Sequence, residues 1–394
     1  MKKLISFKDL PLVNSLWNDI DDKCEYYDLN IGFDEKTKLV QVIDNAPPSK
    51  LFPDDYVYDS SQSETMKNHF KSCCDSMYKK FGPSDVLEIG SNSGIFIRWC
   101  QPGSIAVEPC SNFAQITNSA GLKTYDEFWS RDLAKRIVEE HGKRDLIFSA
   151  NTISHIQDLN ECFKGVYECL TDDGVFVVEC PSFLEVLKTN AFDQFYHEHQ
   201  SYFTSISFSN ILKMHGFKLF DIEWYPVHGG TYRFFACKNT SDEHKYNIEN
   251  LYKWRIEEEQ FGVDNYDSLL MQMDVMKNNM KEIKKTLIDL KSENKKIIGY
   301  GASAKFIQVS NMCDLNSDLI DYVVDTTPDK QDKFTPKSAI KIIPYDFEKL
   351  NPLQDSDYCF LGAWNYKDEI IEKENEFIKN GGKFITHIPF VEII

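Results

Sequence analysis

An α/β protein with two Rossmann-like domains is the fold class this sequence predicts. Two strand–glycine–helix units, "DVLEIGSNSG" at 85–94 and "KKIIGYGASAK" at 295–305, are the first observation. Each runs a short apolar stretch into a glycine turn, as the opening unit of a doubly wound sheet does. The second observation is rhythm. "RDLIFSANTISHI" (144–156) and "NECFKGVYECLTDDGVFVVECP" (160–181) alternate strand, helix and strand, the signature of a parallel sheet. The length, 394 residues, leaves room for more than one core.

Taken in order, residues 1–70 read as a small irregular domain, because "NAPPSKLFPDDYVYDSSQS" (45–63) is crowded with turn formers. Residues 71–240 carry the first α/β unit, with "SIAVEP" (104–109) as its second strand. A helical connection follows at 241–292. In it Leu269, Met273, Met276, Met280, Ile283, Leu287 and Leu290 recur at alternating spacings of four and three. This narrow apolar seam belongs to a helix packed on its own protein or to a dimer seam, so a monomer or a homodimer is expected. Residues 293–394 form the second α/β unit, with strands in "LIDYVVDTTPDKQDKF" (319–334), "DYCFLGAW" (357–364) and "GGKFITHIP" (381–389).

Composition narrows the function. A formal net charge of −18 argues against nucleic acid as the main partner, since phosphate backbones need a cationic face. No apolar run is long enough for a membrane span, and the start lacks a signal-peptide core. The 11 cysteines form no C-x-x-C pair. They read as reduced thiols of a cytoplasmic protein, with no zinc or other metal expected.

The first glycine turn has the pattern E-x-G-x-x-x-G, with Glu88, Gly90 and Gly94, and not the dinucleotide fingerprint. Glycine there lets a ligand approach the backbone. Glu108, ending the second strand, is placed to accept ribose hydroxyls. With "DLIFSANTISHI" and "LTDDGVFVVE" as fourth and fifth strands, the region resembles the class I S-adenosylmethionine-dependent methyltransferases. That resemblance implies S-adenosylmethionine as cofactor, held by Glu88, Gly90, Ser91, Asn92, Gly94, Glu108, Pro109 and Asn151.

A narrower resemblance rests on "LEIGSNSG", "VEP", "SANTISHI", "YHEHQSYFT", "GGTYRFF" and "GYGASAK", in that order. From about "PLVNS" at residue 11 onward, the chain resembles the three-domain sugar C-methyltransferases. These methylate a nucleotide-linked keto-deoxysugar in branched-sugar synthesis. An sp3 carbon beside a ketone needs a base, a donor to the enolate oxygen and an in-line methyl. By the resemblance, His199 is the base, with Glu198 and Tyr196 as orienting and enolate-side partners. His155 is a further active-site histidine, and Tyr56 or Tyr58 a tyrosine from the N-terminal side. His197 reads as structural. A metal site from His197 and His199 is not expected, because no other ligand cluster lies near them in sequence.

For the sugar nucleotide, "GYGASAK" offers Gly301, Ala302 and Lys305 to a pyrophosphate at a helix start. Without the third glycine of the fingerprint, NAD is disfavoured. Gly229, Gly230 and Arg233 of "HGGTYRFF" are expected to line the cleft. The family's N-terminal zinc cysteines are missing; Asp34 and Thr37 stand where the second pair should fall, so a truncated, metal-free domain is expected. Ser93 stands where many relatives have Asp. Two alternatives remain: methylation of oxygen or nitrogen on a sugar nucleotide or related small molecule, and a non-catalytic binding or scaffold homologue.

Overall fold

The computed structural model describes residues 1–44, 46–54, 56–346 and 352–394. Three sheets organise it. Strands β1 (Lys2–Pro11), β2 (Tyr26–Phe33) and β3 (Val40–Val42) pair antiparallel in the order β1-β2-β3. Their fourth neighbour is β9 (Ser201–Tyr202), one residue after the "YHEH" segment. The segment 1–70, read as irregular from its turn formers, therefore holds a sheet in its first 44 residues. Alternate side chains Leu29, Ile31 and Phe33 of β2 are buried and drive it. At the turn that holds Asp34 and Thr37, the Asp34 carboxylate accepts from the N–H groups of Lys36 (2.7 Å) and Thr37 (3.1 Å). Hydrogen bonds of an Asx turn close this hairpin.

The boundary placed at residue 70 falls inside a helix, Glu64–Phe81. Ser63 caps its start and Gly82, in the left-handed region, ends it. Met66, Phe70, Cys73, Cys74 and Met77 form its buried stripe, packed on Phe96, Phe148 and Val177 of the central unit.

That unit is a seven-stranded sheet in the order β10-β11-β8-β7-β4-β5-β6. It comprises β4 (Val86–Ile89), β5 (Ile105–Val107), β6 (Lys123–Tyr125), β7 (Arg144–Ala150), β8 (Leu170–Pro181), β10 (Phe217–Tyr225) and β11 (Thr231–Lys238). β11 runs antiparallel to both neighbours; the other adjacent pairs, apart from β10·β11 and β11·β8, are parallel. This is the Rossmann-like sheet expected, with the ends of β4, β5 and β7 opening on one side.

The third sheet, order β14-β13-β12-β15-β16-β17, is parallel except at its last strand. It contains β12 (Ile297–Tyr300), β13 (Val323–Asp325), β14 (Ile342–Pro344), β15 (Tyr358–Leu361), β16 (Lys383–Thr386) and β17 (Glu392–Ile393). The helix Tyr266–Ser292 leads into it. All seven seam residues predicted for that helix are buried, in one core with the first and third sheets. Its seam is therefore filled by its own chain and is not a dimer seam. No helix among the described residues is long and apolar enough to cross a membrane.

Candidate active site

One cavity of about 770 Å³ is lined by residues from all three parts of the chain. Its floor is the β4 turn. Gly90 (φ 74°) donates to the Val107 carbonyl at 2.8 Å, and a Cβ there would lie 2.1 Å from Thr152 Oγ1. Glu88 accepts from the Ile97 N–H at 3.0 Å. Glu108 accepts from the backbone N–H groups of Asn92 (2.6 Å) and Cys110 (2.9 Å). Burial raises its proton affinity and these two donors oppose the rise. Each oxygen keeps a lone pair for a further donor.

Asn92, itself left-handed (φ 48°), ties this turn to the N-terminal strap. Its Oδ1 accepts from Ser60 N (3.0 Å) and Ser60 Oγ (2.9 Å), and its Nδ2 donates to the Tyr58 carbonyl (2.9 Å). Ser93 Oγ donates to the Asp59 carboxylate of the strap at 2.7 Å. Ser91 Oγ and Asn151 Oδ1 are buried with no hydrogen-bond partner among the described residues. Both residues line the cavity. Buried polar atoms are nearly always satisfied, so these two are open to a polar ligand. The Ser91 hydroxyl, the Asn151 side-chain carbonyl oxygen and the free side of Glu108 suit the amino acid and ribose of S-adenosylmethionine.

The middle of the cavity holds the acid–base groups. His199 Nδ1–H donates to the Gln194 carbonyl at 3.0 Å, which leaves Nε2 to accept from the Tyr196 hydroxyl at 2.7 Å. That geometry assigns the neutral tautomer. Burial, with His155 beside it, holds His199 well below the ordinary imidazole range, against the pull of the Gln194 carbonyl. The two rings stand 5.1 Å apart. His155, packed on Phe52, is pushed down to about 4 by burial.

Glu198 does not touch His199. Its Oε2 accepts from the Tyr56 hydroxyl (2.7 Å) and its Oε1 from Asn14 Nδ2 (2.6 Å). Burial pushes Glu198 up to about 7, and those two donors restrain it. The carboxylate therefore orients the N-terminal tyrosine. Tyr56 and Tyr196 are pushed well above the phenol range, first by burial and next by Glu198, so both remain protonated donors. Tyr58, half exposed, stands at the rim.

Ser303, Ala304 and Lys305 form the far wall, at the start of the helix Ala304–Met312. Lys305 lies 4.9 Å from the Trp364 ring centroid. Gly301 and Ala302 sit one step behind this wall. The Ala302 N–H donates to Asp325 at 2.8 Å, which ties up the acid a dinucleotide ribose would need. Lys330 donates to the Ala302 carbonyl at 3.1 Å.

Several predicted residues stand outside the lining. Arg233 is 1% exposed and pairs with Glu179, which also meets His69 at 2.8 Å. It is a buried structural cation, because β11 places it between β8 and β10. Gly229 packs on Trp364, and Gly230 accepts from Ser182 N–H through its carbonyl; neighbouring His228 reaches the cavity instead. Gly94 packs on Thr117 behind the turn. His197 packs edge-on against Tyr27, away from the cavity. Among the described residues no cluster of three or more His, Cys, Asp and Glu is placed to hold a metal. Asn14 and Asp59 escaped the sequence reading, since neither lies in a motif near its partner.

Comparison with known proteins decides the family. The chain is 30% identical to the C-methyltransferase NovU of Streptomyces niveus, over 99% of this chain and 94% of that one. It belongs to the C-methyltransferase family. Residues 68–222 match the methyltransferase domain, and 226–389 the C-methyltransferase C-terminal domain. The protein is thus an S-adenosylmethionine-dependent methyltransferase with the class I fold. Among solved structures it is similar to an S-adenosylmethionine-dependent methyltransferase from Clostridium acetobutylicum (14% identity, 45% of this chain and 93% of that one, TM-score 0.35). It is also similar to the PH0226 protein from Pyrococcus horikoshii (14%, 48% and 97%, TM-score 0.37).

Proposed function

We propose that this C-methyltransferase acts on the carbon beside the ketone of a nucleotide-activated keto-deoxysugar, through an enolate formed by His199. The observation that carries the reading is the neutral His199–Tyr196 pair, set between the β4 turn and the Lys305 wall of one cavity. S-adenosylmethionine supplies an electrophilic methyl when bound. Glu108 is the ribose-binding residue in this reading, with Ser91 and Asn151 toward the amino-acid end.

Removal of the carbon-bound proton needs a neutral acceptor fixed in direction. His199 Nε2 is one, because its other nitrogen is anchored on the Gln194 carbonyl. The Tyr196 hydroxyl, released from Nε2 as that nitrogen takes the proton, supplies its hydrogen to the enolate oxygen, where charge develops. Glu198, anchored by Asn14, fixes the Tyr56 hydroxyl in the cavity lining. At the far wall, the helix start and Lys305 meet the diphosphate. The N-terminal module contributes Asn14 and Tyr56, so it completes the site even without zinc cysteines.

The reading is tested in two steps. Calorimetry should find S-adenosylhomocysteine binding that Glu108→Ala weakens strongly. Incubation of keto-deoxysugar nucleotides in D2O should then exchange the proton beside the ketone, and His199→Ala should stop it. Methylation without any such exchange would favour an oxygen or nitrogen acceptor.

A further inference from the structure

Lys305 poses a question that the cavity alone does not answer. Among the described residues, no carboxylate lies within ion-pair distance of its ammonium. Lys330, also in the lining, faces Asp325 at 4.0 Å. A bared ammonium in a closed site is costly unless something else stabilises it. Under Lys305 stands the Trp364 ring, and at the N–H edge of that ring stands Asp193. The Trp364 Nε1–H donates to Asp193 Oδ2 at 2.6 Å, and His387 Nε2 meets the same oxygen at 3.1 Å. Asp193 is wholly buried, and its Oδ1 has no hydrogen-bond partner among the described residues. Burial alone would raise this carboxyl, but His387, Lys305 and Trp364 outweigh it and leave Asp193 below the usual range.

Asp193 also has a neighbour in the chemistry. It lies on the short turn Phe192–Gln194, whose last carbonyl holds His199 Nδ1. Trp364 and His387 belong to the third sheet's loops. One buried carboxylate thus joins the platform under Lys305 to the turn that presents the base.

We propose that Asp193 is the positioning residue for the anion-binding end of the cavity: through Trp364 it fixes the face on which Lys305 lies and keeps negative charge behind that ammonium, so that Lys305 is oriented to receive a diphosphate. This deepens the sugar-nucleotide reading and rests on it. The charged and titratable groups facing Lys305 are Asp193, His199 and His228. Of these only Asp193 supports the ammonium; the two histidines oppose it if protonated.

The probes are dTDP and UDP, with dissociation constants measured by calorimetry on the full chain. Asp193→Asn keeps the side-chain shape and removes the charge. Trp364→Phe keeps a ring under Lys305 and removes the N–H donor. Both variants should weaken the nucleoside diphosphate about tenfold or more, as Lys305→Met does, with S-adenosylhomocysteine affinity unchanged. In Asp193→Asn the alkaline loss of diphosphate binding should also move to lower pH, because the lysine gives up its proton more readily. A merely structural role would not produce that shift. If Asp193→Asn does not fold, Trp364→Phe decides. Unchanged diphosphate binding in the variants, with the Lys305→Met effect intact, overturns this proposal and leaves the sugar-nucleotide reading standing. Equal loss of both ligands also overturns it. A wild-type protein that binds neither dTDP nor UDP overturns both.

Discussion

His199 and Glu198 are adjacent in sequence yet sit in two separate hydrogen-bonded sets, and their protonation responds to pH in different ways. His199 is held neutral by burial and His155, so its protonation lies well below the ordinary imidazole range. Glu198 titrates near 7. Turnover should therefore decline as pH falls through about 7, where Glu198 loses the charge that orients Tyr56, and not at a lower imidazole pKa. Asn14→Ala removes one of the two donors restraining Glu198, so a pH–rate profile of that variant should show the acid limb displaced upward. An unmoved limb would remove Asn14 from the site. His199→Ala should lower kcat by about two to four powers of ten, with S-adenosylhomocysteine affinity nearly unchanged in calorimetry. Tyr196→Phe should cost less, because Nε2 remains available.

Two elements carry consequences of their own. The β4 turn depends on a positive φ at Gly90 and on space that a methyl would take from Thr152. Gly90→Ala should cost roughly 1–3 kcal/mol in urea unfolding, and should weaken S-adenosylhomocysteine at least tenfold. The other element is the helix Tyr266–Ser292, whose Met276 is wholly buried inside the chain's own core. Met276→Ala should destabilise by about 2–5 kcal/mol. Sedimentation of that variant should give the same assembly state as wild type. A change of state would restore the seam to a role between copies.

For the whole molecule, buried carboxyls make stability depend on pH. Glu258 accepts from the N–H groups of Ser205 (2.7 Å) and Ile206 (3.1 Å), so it joins the helix Ile248–Phe261 to the start of the helix Ser205–Met214. Burial raises its pKa from 4.5 to about 7, against those donors. A carboxyl raised on folding binds its proton more tightly in the native state, so its contribution falls as pH rises from 4.5 to about 7. That loss is on the order of 3 kcal/mol at most. Glu258→Gln should destabilise most at the acid end of that window and progressively less toward neutrality, as measured by urea melts at stepped pH. A difference independent of pH would show that Glu258 does not titrate there.

Local pattern was enough for much of this protein. Glu88, Gly90 and Glu108 were legible because a strand end, a glycine turn and an acid at the next strand tip are neighbours in sequence or one βα unit apart. His199 stands out as the candidate base through the "YHEH" motif, and the seam of the long helix through its period. The sheet in residues 1–44 was not, because β9, the strand that completes it, lies at 201–202 and its turns resemble loop sequence. Arg233 looked like a ligand residue because sequence alone does not say which face of β11 meets Glu179. Asn14, Asp59 and Asp193 were invisible for the same reason. Asn14 meets Glu198 across 184 residues and Asp193 meets His387 across 194. By itself the sequence determined the fold class and the methyltransferase family, and it singled out the β4 turn and His199 as candidates for the methyl-donor site and the base. Only the tertiary structure decided which groups hold those residues in place, because the burial and hydrogen bonds that set direction and protonation come from segments the chain brings together only on folding.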